Sequence, residues 1–331
     1  VKKLPQVGLD FGALLTMLYA QVRSKLLLTG CELKVFNHLS RPTSADAVAQ
    51  AIGGHEQNTR VLLDGLAACD LVLKKNGLYQ NAPVAQTFLV EGSPTYLGLL
   101  ILTAQIEQAA LDDMTRLVKE GPPPPSSQAD SDIEEVWTQF HVSMANIQRA
   151  GMAELPEFPS FGKMLDLGGG PGLVGVAIVA AHPSMKGVIF DLPALAKLAE
   201  SSIKEYDMED RLEVLGGDYN KDPIGGGYDL ILAKNSLYFA GDALGSLMRK
   251  VYEALNPGGV FISHHEGLTH ERTKPGDAVI QLVSTMLMGQ DVGFSQGVIA
   301  DSMIRVGFKS VRSRTMDTPI GPMDLDIGRK G

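Results

Sequence analysis

At 331 residues, with 44% hydrophobic and 20% charged side chains, the chain is long enough for two domains and apolar enough to bury a core in each, which excludes disorder as its main character. Its 29 basic residues against 38 acidic ones leave a net charge of −9, a poor match for a phosphate backbone or an anionic membrane. The longest apolar stretches, 96–102 and 174–181, fall well short of the ~20 residues that span a bilayer. No secretory signal is read at the N-terminus, and the two cysteines, Cys31 and Cys69, lack ligand spacing, so a cytoplasmic protein with reduced thiols is expected.

The first ~100 residues read as helical. Leu28, Cys31, Val35, Phe36 and Leu39 fall on one helical face that Arg41-Pro42 interrupts. Thr43-Ser44-Ala45-Asp46 is a capping-box pattern that opens a short helix, and Gly53-Gly54 closes it. A second helix runs from about Gln57 to Cys69, and the segment 71–79 is two short strands around Asn76-Gly77, a hairpin signal. Helix, turn, helix and hairpin make a winged-helix shape. A DNA-reading role needs basic residues on the second helix, which has only Arg60 beside Glu56 and Asp64, so packing against a partner subunit or the next domain is the expectation.

Helical pattern returns from about Tyr96 to Lys119, and the proline run at 121–127 enforces an exposed loop. From Asp132 a further helix carries Trp137, Phe140, His141, Met144, Ile147 and Arg149. His141 and Arg149 are eight residues apart, just over two turns, and so lie on neighbouring parts of one side. Beyond Pro156 strand and helix alternate: 164–167, 174–181, 187–191, 195–206, 212–215, 228–232 and 260–263. That is the pattern of a doubly wound α/β domain. The expected division is 1–120 as a helical winged-helix domain, 121–155 as a loop and connecting helix, and 156–331 as the α/β domain.

The chemistry concentrates after the first strand of that domain. Asp166-Leu167-Gly168-Gly169-Gly170-Pro171-Gly172 leaves a strand and enters a helix, giving a ligand room where a Cβ would clash. An acid two positions before the first glycine and a proline inside the loop distinguish it from the dinucleotide fingerprint. Asp191 ends the next strand, where a carboxylate can accept both ribose hydroxyls of a nucleoside. Asp218 follows the third strand in Gly216-Gly217-Asp218-Tyr219, placed for an adenine amino group.

These residues, with Phe190-Asp191-Leu192-Pro193, Lys234 and Leu255-Asn256-Pro257-Gly258-Gly259, resemble the class I S-adenosylmethionine-dependent small-molecule O-methyltransferases, the group of the caffeate and acetylserotonin enzymes. The resemblance covers nearly the whole chain, since that family carries an N-terminal winged-helix dimerisation domain ahead of a Rossmann-like domain. It implies a homodimer with S-adenosyl-L-methionine as cofactor and a small-molecule methyl acceptor, without nucleic acid, membrane or metal. It places Gly168 and Gly170 near the methionyl part, Asp166 under that loop, Asp191 and Leu192 at ribose and adenine, and Asp218 and Tyr219 at adenine. Lys234 and Asn235 fall beside the cofactor after the fourth strand. Read singly, Asp166 is equally a helix cap and Lys234 a solvated charge.

The chain departs from the family where the family sets its histidine base. The segment here is Lys234-Asn235-Ser236-Leu237-Tyr238, with Tyr238 at the histidine's place, and a phenol of pKa ~10 is a poor base at neutral pH. The first supporting glutamate falls around His264-His265-Glu266, and the second is absent from Gly293-Phe294-Ser295-Gln296. Either His265 or His141 takes the base's role towards a hydroxyl, or the acceptor needs no base. The second reading is favoured here, because a thioether attacks a sulfonium's methyl group without losing a proton. A branch of the family that methylates methylthio-hydroxybutyrate is one such case. Arg149 would clamp a carboxylate, while Phe140, Met144, Met288 and Phe294 would wall the pocket with Glu266. A cofactor-binding regulator without catalysis is the further alternative.

Overall fold

The computed structural model describes residues 10–93, 95–98, 100–102, 110–122, 158–318 and 321–331. The chain divides into two compact units, 1–106 and 107–331.

In the first unit, α1 (Gly12–Glu32) ends before Lys34, whose φ of 53° is left-handed, and a 3₁₀ turn follows over Val35–His38. The single helical face expected over 28–39 is therefore broken. Its apolar members still meet, because Cys31, Val35, Phe36 and Leu39 all lie in one buried cluster with Leu63 and Leu66. α2 (Ala45–Ile52) is capped by Ser44, whose side chain accepts the Ala47 N–H at 3.2 Å, and ends at left-handed Gly53. α3 (Glu56–Ala68) follows, and its Arg60 pairs with Asp46 at 2.8 Å, which engages the one basic group a DNA-reading helix would present. β1 (Thr43–Ser44), β2 (Val72–Lys75) and β3 (Leu78–Asn81) form a small antiparallel sheet in the order β1-β3-β2. Asn76 (φ 53°) and Gly77 (φ 78°) turn the hairpin, both left-handed as a twisted two-residue loop requires. α4 (Pro83–Phe88) follows the sheet.

In the second unit α5 (Met114–Glu120) precedes a seven-stranded sheet. Its strands are β4 (Lys163–Leu167), β5 (Lys186–Asp191), β6 (Leu212–Gly216), β7 (Tyr228–Lys234) and β8 (Leu255–His265), then, after two short paired strands β9 (Gly267–Leu268) and β10 (Phe294–Ser295), β11 (Ser310–Thr318) and β12 (Gly321–Arg329). The order is β11-β12-β8-β7-β4-β5-β6. β4 to β8 pair in parallel, and β12 runs antiparallel to both of its neighbours. The alternation read from sequence gave the parallel strands, but not the β11–β12 hairpin.

The central strands are apolar on both faces because both are covered. Leu165, Leu167, Val188, Ile231 and Phe261 pack on one side with α8 (Leu244–Ala254) and α10 (Val298–Val306). Met164, Ile189, Leu230, Leu232 and Ile262 pack on the other with α6 (Leu173–Ala181) and α7 (Pro193–Glu205). α9 (Gly276–Leu287) lies outside these two layers' cores. Strand order reverses at β4, whose neighbours are β5 and β7, and loops leaving the carboxyl ends of adjacent strands diverge there into a crevice.

Candidate active site at the ends of β4, β7 and β8

The loop after β4 is shaped by backbone conformation. Gly168, Gly170 and Gly172 have φ of 70°, 54° and 78°. A Cβ on Gly168 would stand 2.4 Å from the Cβ of Ser236, so only glycine lets the β4 and β7 loops touch. Asp166 lies beneath this loop, 2% exposed, and its Oδ2 accepts the Gly175 N–H at 2.9 Å in the first turn of α6. It therefore caps the helix and supports the loop at once, and burial lifts its carboxyl to about 7.

Asp191 ties the same loop to β5. Its Oδ2 accepts the Gly170 N–H and its Oδ1 the Leu192 N–H, both at 2.7 Å. Each oxygen has a second lone pair, so the carboxylate can still accept from a ligand. Leu192, beside it, is 51% exposed at the strand end. Asp218 is drawn into its own turn, where it accepts the Asn220 N–H at 2.9 Å and pairs with Lys221 at 2.8 Å. Tyr219, the next residue, faces inward. It is buried in the core, and its hydroxyl donates to the Ser236 carbonyl.

The loop after β7 is held instead by side chains. Ser236 Oγ donates to the Leu167 carbonyl at 2.8 Å, which joins this loop to β4. Asn235 has a left-handed φ of 47°, its Nδ2 reaches Glu266 Oε1 at 3.5 Å, and its buried Oδ1 has no hydrogen-bond partner among the described residues. The Tyr238 hydroxyl donates to Glu266 Oε2 at 3.3 Å, and its ring stacks on Phe294 with centroids 5.5 Å apart. Lys234 is buried at the end of β7 between the charges of Glu266 and Asp166, and desolvation brings its ammonium down to about 8 against their attraction. Burial raises the carboxyl of Glu266 above the ordinary range, opposed by the Tyr238 hydroxyl and the Lys234 charge. Tyr238 is held well above 10 by burial and by the Glu266 charge, so it serves as a hydrogen-bond donor.

His265 corrects an expectation. It is 1% exposed, and its Nε2 accepts the N–H groups of both Ser236 and Leu237 at 3.1 Å. Two donors on Nε2 put the ring proton on Nδ1, which stands 2.8 Å from Ser263 Oγ. The lone pair a base would use is already taken, and burial holds the ring well below 6.5. His264, on the other face of β8, is buried and lowered to about 4. Met288 lies past the end of α9 and is 40% exposed. Phe140, His141, Met144 and Arg149 lie outside the described residues.

Asp324 and Asp326 were absent from the sequence reading. They are buried on β12 opposite His265 and Ser263, and line a small cavity with His265, Glu266, Gly267 and Phe294. Their alternation in Asp324-Leu325-Asp326-Ile327 is a strand signal, but only the pairing with β8 brings them to the site. Among the described residues no group of three or more His, Cys, Asp or Glu side chains is arranged to hold a metal ion, and no helix is long and apolar enough to cross a membrane.

Glycine loop, strand-end acids and switch-point crevice together define a nucleoside-cofactor site in a doubly wound sheet. Residues 125–296 match the O-methyltransferase domain family, and residues 15–91 the O-methyltransferase dimerisation domain. The chain belongs to the O-methyltransferase family and is an S-adenosylmethionine-dependent methyltransferase. Similar proteins include the N,N-dimethyltransferase OxyT of Streptomyces rimosus, 26% identical over 93% of this chain and 94% of that protein. The acetylserotonin O-methyltransferase of Mus musculus is 26% identical over 97% of this chain and 89% of its own. The fold is shared with human N-acetylserotonin methyltransferase, whose crystal structure is in complex with SAM, at a TM-score of 0.77, 23% identity, and coverage of 99% and 100% of the two chains.

Proposed function

We propose that this enzyme methylates a hydroxyl of a small molecule and that Glu266 takes the proton. The observation that carries the reading is the Glu266 carboxylate, half-buried just past the end of β8, bonded to Tyr238 and faced by Lys234 and Asn235, one loop away from the Gly168 turn. The residues fit the cofactor. The left-handed glycine turn stands at the strand end, Asp191 retains acceptor capacity beside it, and Asn235 Oδ1 is a buried acceptor without a partner among the described residues. Gly168 and Gly170 would hold the methionyl part, Asp191 and Leu192 the ribose and adenine, with Asp218, Lys234 and Asn235 at the rim. Bound there, S-adenosylmethionine supplies an electrophilic methyl group on a sulfonium.

The chain's own residues do the rest. Tyr238 and Phe294 give the acceptor an aromatic wall, while Tyr238 and Asn235 orient the Glu266 oxygens. A carboxylate raised by partial burial is closer in proton affinity to a hydroxyl that is losing its proton. The Lys234 charge favours the ionised form of Glu266, against the burial that raises its carboxyl. The relatives' names include both N and O acceptors, so membership of the family leaves the acceptor atom open.

One arrangement favours a thioether acceptor as a second reading: the Tyr238 and Phe294 faces with Glu266 would stabilise a newly formed sulfonium. Label transfer from methyl-labelled S-adenosylmethionine to a panel of phenols, hydroxy acids and thioethers separates the two. Transfer to a hydroxyl that E266Q reduces by roughly 10²–10⁴ supports the proton-acceptor reading. Transfer to sulfur that E266Q leaves unchanged overturns it. We also propose a homodimer, because α1 leaves Met17, Leu18, Tyr19 and Val22 at 55–73% exposure within the region matched as a dimerisation domain. Light scattering after size exclusion tests it, and a monomer across micromolar concentrations would end it.

A further inference from the structure

The residue that sequence reasoning offered as a base is built into the site in another capacity. Ser236 is a junction: its Oγ donates to the end of β4, its carbonyl accepts from Tyr219, and its Cβ abuts Gly168. Its N–H, with that of Leu237, donates to a single atom, Nε2 of His265. The next residue is Tyr238, whose ring also packs edge-on against His265 at 5.2 Å, while His265 packs edge-on against Phe294 at 5.5 Å. One imidazole thus sets the backbone of the β7 loop and touches both aromatic rings beside Glu266.

We propose that His265 is a positioning residue: a neutral imidazole, fixed by Ser263 with its proton on Nδ1, that pins two loop amides and so sets Tyr238 and Phe294 against the glycine turn. An acceptor of two N–H bonds at one point is what a turn between a strand and a 3₁₀ segment lacks, since those donors have no intrahelical partner. A neutral histidine supplies it, and no other uncharged side chain combines that lone pair with a second ring nitrogen fixed by a hydroxyl. The inference rests on the methyltransferase reading for its consequence, but not for its geometry.

The test uses two substitutions of similar size. In H265Q the amide oxygen can stand where Nε2 stood and accept both amides, whereas in H265N the shorter side chain reaches Ser263 but not the loop. Hydrogen exchange of the apo protein, read by mass spectrometry over residues 235–240, needs no acceptor and no turnover. The expected result is exchange at Ser236 and Leu237 at least tenfold faster in H265N and within about threefold of wild type in H265Q. Label transfer to the phenol panel should follow the same order in kcat, with the acid limb of the pH profile unchanged in H265Q.

Equal, wild-type-like exchange in both variants would overturn the proposal. So would loss of the acid limb in both, which would return His265 to the role of base. Should either variant fail to fold, the ¹⁵N shifts of the wild-type ring decide: a neutral Nδ1–H tautomer from pH 5.5 to 8 is expected, and an imidazolium or an Nε2–H tautomer overturns it. Failure of Glu266 as proton acceptor would appear in E266Q alone and leave these exchange rates untouched.

Discussion

Two loops meet at the crevice and are made by opposite means. The turn after β4 takes its shape from glycines in left-handed conformations, held by backbone bonds such as those from the Gly168 and Gly169 N–H groups to the Phe190 carbonyl. The loop after β7 has no glycine between Lys234 and Ala240, and takes its shape from distant side chains: Tyr219, Ser263 through His265, and its own Ser236 reaching back to β4. A backbone cradle suits one invariant ligand, because it presents the same donors whatever surrounds it. A loop held by side chains can be retuned by single substitutions, which suits the half that must select an acceptor.

The largest effect is expected on the acceptor side. E266Q should lower transfer to a hydroxyl by roughly 10²–10⁴ while S-adenosylhomocysteine affinity, measured by calorimetry, stays within about threefold of wild type. A comparable loss of cofactor affinity would show that the two loops do not divide the work. The converse substitution is G168A. Its Cβ would stand 2.4 Å from that of Ser236 at a φ of 70°, so an affinity loss of about tenfold or more is expected, with a stability loss of roughly 1–3 kcal/mol by urea titration.

Asp166 tests the support beneath the cradle. With its carboxyl lifted to about 7, the folded state binds a proton that the unfolded state releases above 3.8, so this group's contribution to stability falls as pH rises between those values. D166N can still accept from Gly175. It should match wild type near pH 4 and exceed it at pH 8 by on the order of 1–3 kcal/mol, after the lost attraction to Lys234. A variant less stable than wild type at pH 8 would mean that the charge itself holds the loop.

Smaller effects sharpen the picture. Y238F removes one hydrogen bond to Glu266 and should lower kcat by about two- to tenfold, with little change in cofactor affinity. G77A is the control for G168A: the same left-handed backbone at φ 78°, but nothing within 4 Å of the added Cβ. It should cost about 1 kcal/mol or slightly more and leave methyl transfer unchanged. The difference between the two glycine variants isolates the packing of one loop on the other.

Legibility in the sequence followed the same division. Asp166, Gly168, Gly170 and Asp191 stand where their local pattern put them, since strand, turn and helix follow one another within the 26 residues from 166 to 191. Tyr238, Glu266 and Phe294 were named from the family's pattern, and the structure gathers them, although they are 28 and 56 positions apart along the chain. Tyr219 and His265 fall in the expected neighbourhood, and the structure adds what their polar atoms bind. Their partners, Ser236 and Leu237, are backbone groups whose direction is set by a turn that no side-chain pattern announces. Asp324 and Asp326 were missed because strand pairing across a separation of about 60 residues assigns them to the site.

The sequence by itself determined the alternation of elements, the caps and the hairpin at Asn76-Gly77, because period, glycine placement and capping chemistry act within a few residues. It determined the cofactor turn for the same reason. The tertiary structure alone decided which nitrogen of His265 holds a lone pair, what that lone pair binds, and which carboxylate faces Tyr238. Those are properties of packed strand ends, where a side chain's protonation and partners depend on burial and on neighbours that sequence distance does not reveal.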